Sequence, residues 1–423
     1  MKLLKRIFLI ILAGVGLFLL LTYISVNSEP EKDATNIVID NPPSQFQHGD
    51  SILVAANSGY QSNFLKNIMQ GAHYREAWAT PVKVPVLFFD TYKGGLTPAE
   101  VGGGKQTRSL DLISPDNTVY TLRSVNKYPD SVVPEFARIL KLENIVTDGI
   151  SAQHPYGAIL AAALAEKVDV VHTHPQLVYV PQQKALDSLN DDFGDALYLL
   201  EYETEGPVNW TKHSGVTALI DTDSLQLLKL QKKDLLQIDY NLLVRSRLFD
   251  LIIGDWDRHT KQWGWALQQR NDTLFAIPVA GDRDNAFFSL DGVIPTIISS
   301  EYVEPHVRPF DEDIDYLPGL VYPFDVYFLK EVPRSTFAQQ AAFLQQQLTD
   351  EVIEEALRSW PEPIYKLNND EIRSKLRSRR DQILEYALEF HKILQEKEYL
   401  NEPLKGSDDI TLPKDLLRCF NCN

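Results

Sequence analysis

Cysteine is almost missing from this chain. Two residues, Cys419 and Cys422, are all that 423 positions hold, and both fall in the last five. The body of the protein therefore has no disulfide framework and no thiolate nucleophile. The terminal Cys-Phe-Asn-Cys reads as a local disulfide or as two free thiols, and it lacks the second pair that a structural zinc site uses. Basic charge is also short: 41 Lys and Arg stand against 58 Asp and Glu, a formal net charge of -17. That surface argues against a nucleic-acid partner, whose backbone needs a basic footprint. It is compatible with a small anion held in a local basic cleft. No internal repeat is visible.

What is present begins with one long apolar run. Ile7 to Val26 follows Lys2, Lys5 and Arg6, and its roughly 20 residues suffice to cross about 30 Å of hydrocarbon. Positive charge before the run favours an N-terminus in the cytoplasm and the remainder outside. Val26-Asn27-Ser28 offers a small-residue cleavage site, so the run reads as an uncleaved signal anchor or as a cleaved signal peptide. The domain is then membrane-anchored outside the cytoplasm, or secreted. No Cys follows the run, which excludes a bacterial lipoprotein anchor. Glu29 to Gln47 is polar, with Pro42 and Pro43, and reads as a linker. Beyond it the balance of 44% hydrophobic and 23% charged residues is that of a globular chain long enough for two lobes.

Periodicity places the elements coarsely. Phe64 to Trp78 has helical spacing, and Val82 to Phe89 reads as a strand. The passage Lys93 to Arg108 is dense in glycine and reads as a loop before two strands, Ser109 to Ile113 and Thr118 to Val125. Glycines with a Lys and hydroxyls before a strand pair let backbone N–H groups approach phosphates, although Gly102-Gly-Gly-Lys is not a Walker A. Glu135 to Leu142 and Ser151 to Lys167 read as helices, and Gln176 to Pro181 and Ala196 to Glu203 as strands. Asp223 to Ile253 reads as largely helical, Phe275 to Ala280 as a strand, and Ser335 to Glu398 as helical with a break at Trp360-Pro-Glu-Pro363. Residues 305 to 330 read as loop-rich. His172 and His174 form an H-x-H pair with no acidic cluster beside them in sequence, and read as structural or surface histidines.

Two acidic clusters carry the chemistry. An apolar helical run ends at Gly254, and Asp255, Asp257, Arg258 and His259 crowd in after it. A hairpin-like passage later comes Gly281-Asp-Arg-Asp-Asn-Ala-Phe287. Phosphoryl transfer asks for such a pair: one carboxylate orients the nucleophile and another holds a divalent metal on the phosphates. The plainer reading is a capped helix end with surface ion pairs. Trp256, Trp263 and Trp265, three of six tryptophans, lie in or beside the first cluster and would wall the site or pack in the core.

The order of glycine-rich loop, strand pair, helix, two strands, long helix, Asp-Arg-His, strand and Asp-Asn resembles that of the atypical protein kinases. The likeness is to the secretory-pathway (Golgi casein kinase type) and HipA-like kinases, and more distantly to the phosphoinositide kinases. It rests on Phe249 to His259 and on Asp284-Asn-Ala-Phe, and extends over roughly residues 90 to 395. It implies an α+β, bilobal protein-kinase-like fold with a β-rich N-lobe and a mostly helical C-lobe. The parts would be 1–28 signal anchor or peptide, 29–48 linker, 49–206 N-lobe, 207–400 C-lobe with both motifs, and 401–423 tail. The resemblance makes Asp257 the catalytic carboxylate, with Arg258 and His259 supporting its loop. Asp284 becomes the principal Mg2+ or Mn2+ ligand, with Asp282 and Gln262 beside it. ATP or another nucleotide would meet Gly103, Gly104, Lys105, Arg123, Lys127 and Glu201. Asp148, Gln153 and Glu166 are candidates for the polar partner on the following helix. The implied activity is a metal-dependent transfer of a nucleotide phosphate to a hydroxyl acceptor. The alternatives are a catalytically inactive kinase-like ligand-binding or scaffold protein of the cell envelope, and a metal-dependent hydrolase.

Overall fold

A computed structural model describes residues 2–26, 37–38, 46–60, 62–103, 106–128, 133, 135, 138, 143–406, 411–413, 416 and 418–421. The expected helix over 135–142 lies outside these residues except at Glu135 and Arg138, as do most of the expected linker and Cys422.

Helix α1 (Lys2–Val26) is apolar along its length and largely exposed. At 1.5 Å per residue it is about 37 Å long, enough to cross a bilayer. Its last turns meet the domain: Ser25 is buried and accepts a hydrogen bond from Gln70 Nε2 at 2.9 Å. Strands β1 (Ile37–Val38), β2 (Ser51–Val54) and β3 (Val82–Pro85) form an antiparallel sheet. Between β2 and β3 the stretch expected as one helix is two, α2 (Phe64–Gln70) and α3 (Arg75–Ala79). The break falls at Gly71, whose φ of 94° belongs to glycine and whose Cβ would lie 2.4 Å from the Asp291 carbonyl.

A five-stranded antiparallel sheet follows, in the order β4-β5-β6-β8-β7. Its strands are β4 (Thr97–Gly102), β5 (Ser109–Ile113), β6 (Val119–Ser124), β7 (Gln176–Val180) and β8 (Ala196–Tyr202). Strand β4 corrects the reading of the glycine-dense passage as loop. It is an edge strand, where Pro98 is tolerated because no further ladder needs its missing N–H. Helices α4 (Glu143–Gly149) and α5 (Gly157–Lys167) connect β6 to β7.

A third sheet, ordered β10-β12-β11-β9, comprises β9 (Val216–Asp221), β10 (Leu236–Ile238), β11 (Trp263–Arg270) and β12 (Thr273–Ala280). The expected helix over 223–253 is therefore interrupted: α6 (Thr222–Lys232), then β10, then α7 (Tyr240–Ile253). Lys233, at φ 50°, ends α6, and Leu236 and Ile238 alternate as buried residues about exposed Gln237. That period of two is a strand signature, hidden in sequence by the helices on both sides. The passage between the acidic clusters is the β11–β12 hairpin, turned at Asn271 with φ 55°.

After α8 (Val293–Ile298), the loop-rich stretch contains α9 (Pro323–Leu329). The last helical region is α10 (Arg334–Gln347), α11 (Asp350–Leu357) and α12 (Glu362–Glu396). Its unexpected break at Leu348–Thr349 is made by Thr349, which caps Val352 N. One buried apolar cluster runs from Ile52 to Phe420 and joins the β2–β3 region to α7, α10 and α12.

Helix α7 stops at Gly254, which is left-handed at φ 66° and returns its N–H to the Asp250 carbonyl. A Cβ there would stand 2.6 Å from Phe310 Cδ2. We expect Gly254→Ala to lower stability by about 1–3 kcal/mol through backbone strain and this clash. A fall in the urea midpoint at unchanged m-value checks it.

Candidate active site

The first acidic cluster is held from beneath by Asp250, in the last turn of α7 and fully buried. Three guanidiniums close on its carboxylate: Arg247 at 3.0 Å, Arg283 at 3.1 Å and Arg258 at 3.3 Å. A buried charge of either sign is tolerated only with partners of this kind. Arg258 then ties the two clusters together. Its Nη1 donates to the Gly281 carbonyl at 2.8 Å and its Nη2 to the Gln262 carbonyl at 3.3 Å, while Gly281 N donates to the same Gln262 carbonyl at 3.0 Å. Asp255 faces Arg258 at 3.4 Å and accepts from Asp257 N at 3.3 Å. So Arg258 and Asp255 support the loop, and Asp257 is left partly open at its end.

The second cluster enters the same place from β12. Lys127, just past β6, pairs with Asp284, and its Nζ also donates to Thr107 Oγ1 at 2.9 Å. Asn285 Nδ2 donates to Asp284 Oδ1 at 3.0 Å and reaches Asp257 Oδ2 at 3.5 Å. Gln153 Nε2 holds the Asn285 side chain at 2.8 Å. Arg123, on β6, lies 3.0 Å from Glu201 and 3.1 Å from Asp282, and Thr173 Oγ1 donates to Glu201. His259 Nε2 stands 3.7 Å from Asp257 and is half exposed. Burial, then Arg258, hold its imidazole below its ordinary pKa.

Of the residues singled out in sequence, Asp257, Asp282, Asp284, Arg123, Lys127 and Glu201 therefore share one cleft, with His259 at its edge. Gly103, at φ 137°, turns the chain between β4 and β5 above Thr107, whose carbonyl would lie 2.4 Å from a Cβ. Gly104 and Lys105 lie outside the described residues. Gln262 secures the loop through its backbone carbonyl, and the amide that reaches Asp257 belongs to Asn285. Asn285 and Thr107 were not read as site residues, and only the adjacency of Asn285 to Asp284 marked either of them in sequence. Of the three candidate helix partners, Asp148 is engaged by Lys66 at 2.7 Å and by Arg75, Glu166 by His172 at 3.1 Å, and Gln153 alone reaches the cleft.

Charge in the cleft is unbalanced. Burial, then repulsion from Asp284 and Asp282, push the Asp257 carboxyl up to about 7. Burial and Asp282 also raise Asp284, whereas Arg123 and Lys127 outweigh burial and hold Asp282 low. Asp282 Oδ1 is buried with no hydrogen-bond partner. Crowded oxygens, mutual repulsion and an orphaned carboxylate oxygen are the donor set a hard divalent cation fits. Asp282 and Asp284 would hold Mg2+ or Mn2+, with the Asn285 amide beside them.

Two other expectations change. Trp263 stacks on Phe324 at 4.7 Å, and Trp265 packs on Phe328 at 4.9 Å; both are buried and belong to the core. The His172–His174 pair does have a carboxylate, because the turn after α5 brings Glu166 within 4.8 Å of both. His174 N donates to His172 Nδ1 at 3.2 Å. That places the His172 ring proton on Nε2, facing Glu166 at 3.1 Å.

Asp257 ionises in the folded state only near pH 7, well above an unfolded carboxyl. The folded protein thus binds a proton that the unfolded chain has released. Without added metal, stability should fall as pH rises from about 4 to 7. Asp257→Asn should flatten that slope, read as thermal midpoint against pH. An unchanged slope would remove Asp257 as its source.

No family model matches this chain, and no curated protein matches it. Among solved structures it is similar to the Helicobacter pylori proinflammatory kinase CtkA, at 11% identity and TM-score 0.34, over 74% of this chain and 99% of that one. It is also similar to HipA from the Shewanella oneidensis MR-1 toxin–antitoxin complex of HipA, HipB and operator DNA, at 12% identity and TM-score 0.34, over 70% of this chain and 67% of that one. Neither likeness is close enough to assign an activity to this chain.

Proposed function

We propose that this chain is a kinase-like phosphotransferase of atypical, bilobal type that moves a nucleotide phosphate to a hydroxyl acceptor with Mg2+ or Mn2+. The observation that carries the reading is the linked set Lys127–Asp284–Asn285–Asp257 beside the Gly103 turn. Asp257, titrating near 7, is placed to accept the acceptor's proton, which asks for a base with a pKa close to the operating pH. Lys127, between Thr107 and Asp284, is the cation for the nucleotide phosphates. Arg123 is instead engaged by Glu201 and Asp282. A metal held by Asp282 and Asp284 would supply charge neutralisation on the phosphates. Asn285 and Gln153 hold Asp257 and Asp284 in register. Asp257 and Asp284 keep in this reading the roles that the secretory-pathway and HipA-like resemblance implies for them. It departs from the resemblance in using Asn285 rather than Gln262 as the nearby amide.

A second reading is an inactive kinase-like ligand-binding or scaffold protein of the cell envelope. The Lys127–Asp284 pair favours it, because it occupies the place where phosphate and metal would enter. Either way, α1 supports membrane attachment. The disulfide at Cys419 supports placing the domain outside the cytoplasm, where such bonds persist.

Full-length protein in detergent should gain thermal stability with a nucleotide and Mg2+ or Mn2+, by about 2.7 kcal/mol at 100-fold Kd. Asp284→Ala should abolish the gain. Asp257→Ala should keep it and lose phosphate transfer. No gain with any nucleotide and metal in a panel sinks the kinase reading. Binding without transfer by the unaltered protein leaves the scaffold one.

A further inference from the structure

Among the described residues, the outward face of α2 and α8 is apolar and exposed. Phe64 is 82% and Ile68 44% exposed, one helical turn apart on α2. The opposite face of α2 is locked inward by buried Lys66, which pairs with Asp148 at 2.7 Å, so the helix cannot roll to hide them. Helix α8 abuts α2: Asp291 accepts from Ala72 N at 2.9 Å and His73 N at 3.1 Å, and a Cβ on Gly292 would meet Gly71 N at 2.4 Å. It adds Ile297 at 51%, and the turn after it adds Tyr302 at 88% and Val303 at 54%. Exposed apolar side chains gathered in this way mark an interaction surface.

The position of the patch names its occupant. The last turn of α1 is bonded to α2 through Gln70 and Ser25, on the same helix that carries Phe64 and Ile68. Gln70 lies one turn from Lys66 on the buried side of α2, so the end of α1 meets this helix about one helix width from the exposed side chains. We propose that this face rests on the lipid surface beside the anchor, with Phe64, Ile297, Tyr302 and Val303 entering the interfacial layer. Glu301 and Glu304 flank it, and the chain carries a formal net charge of -17. Anionic lipid therefore contributes no attraction, and contact comes from apolar burial alone. Tethering through α1 raises the local concentration enough for a modest patch to stay down. The segment leads directly from the candidate site: Phe287 N bonds to the Ile253 carbonyl at 2.8 Å, at the end of α7, and its own carbonyl accepts from Tyr74 at 2.6 Å. Fixing α8 to lipid fixes the cleft's height above the membrane. The inference rests on α1 being retained and is independent of the kinase reading.

The test uses the full chain in phosphatidylcholine vesicles, with an environment-sensitive fluorophore on Tyr302→Cys, on Phe64→Cys, or on the exposed Leu235→Cys as a distant reference. Flotation with the vesicles is measured first, and a chain that does not float overturns the anchor and with it the proposal. With flotation, nitroxide-labelled phospholipid should quench positions 302 and 64 severalfold more than 235, equally with or without anionic lipid. Equal quenching at all three positions overturns the proposal. So does shielding of 302 and 64 from aqueous iodide without lipid quenching, which assigns the face to a second protein. Ile297→Asp with Val303→Asp should leave the thermal midpoint in place and abolish lipid quenching at position 64. Quenching that persists in that variant also overturns it.

Discussion

Asp250 sits where no water reaches it, and its single negative charge is shared by Arg247, Arg258 and Arg283. Buried ion pairs add little net stability compared with apolar packing, but removing one member strands the others and costs about 3–5 kcal/mol. Their use here is geometric. Arg247 also binds Asp325 of α9 at 2.6 Å, so α7 and α9 are joined through the same centre. Arg258 passes from Asp250 to the Gly281 and Gln262 carbonyls and so fixes the β11–β12 hairpin against the end of α7. Arg283 returns from the second acidic cluster to the first. The two clusters face one another because three guanidiniums have only one buried carboxylate in common.

Above this foundation the cleft is built from side chains that do not satisfy each other. Asp257, Asp282, Asp284 and Glu201 meet Arg123 and Lys127, and a deficit of positive charge remains. The consequences are a raised Asp257 and a bare Asp282 oxygen. In the network beneath, Arg258 Nε and Arg283 Nη1 and Nη2 are likewise buried without hydrogen-bond partners. The Glu166–His172 pair, by contrast, is hydrogen-bonded at 3.1 Å.

The chain also relates this cleft to its surroundings through α2. That short helix takes the end of α1 on one side and the segment leaving the cleft on another, while Lys66 and Arg75 anchor it on Asp148. The end of an otherwise exposed apolar helix is thereby linked to the segment that leaves the cleft.

Local chemistry was legible in the sequence where the cause is local. The apolar run of α1, the glycine that ends α7, the two acidic clusters and the strands β5, β6, β7 and β8 follow from residue type and spacing. So did the glycine passage, except that its middle pairs as edge strand β4, a matter of the neighbour β5 rather than of its own residues. Strand β10 was hidden because three residues carry too short a pattern to outweigh two flanking helices. Roles that depend on distant partners could not be read. Nothing local distinguishes Lys127 from Arg123 as the group facing Asp284, or Asn285 from Gln262 as the amide near Asp257. The sequence by itself determined which chemical groups are available and which stretch is long and apolar enough to cross a membrane. Only the tertiary structure decided which of them meet, because Asp250 and Arg258 assemble the cleft from segments that spacing along the chain does not connect.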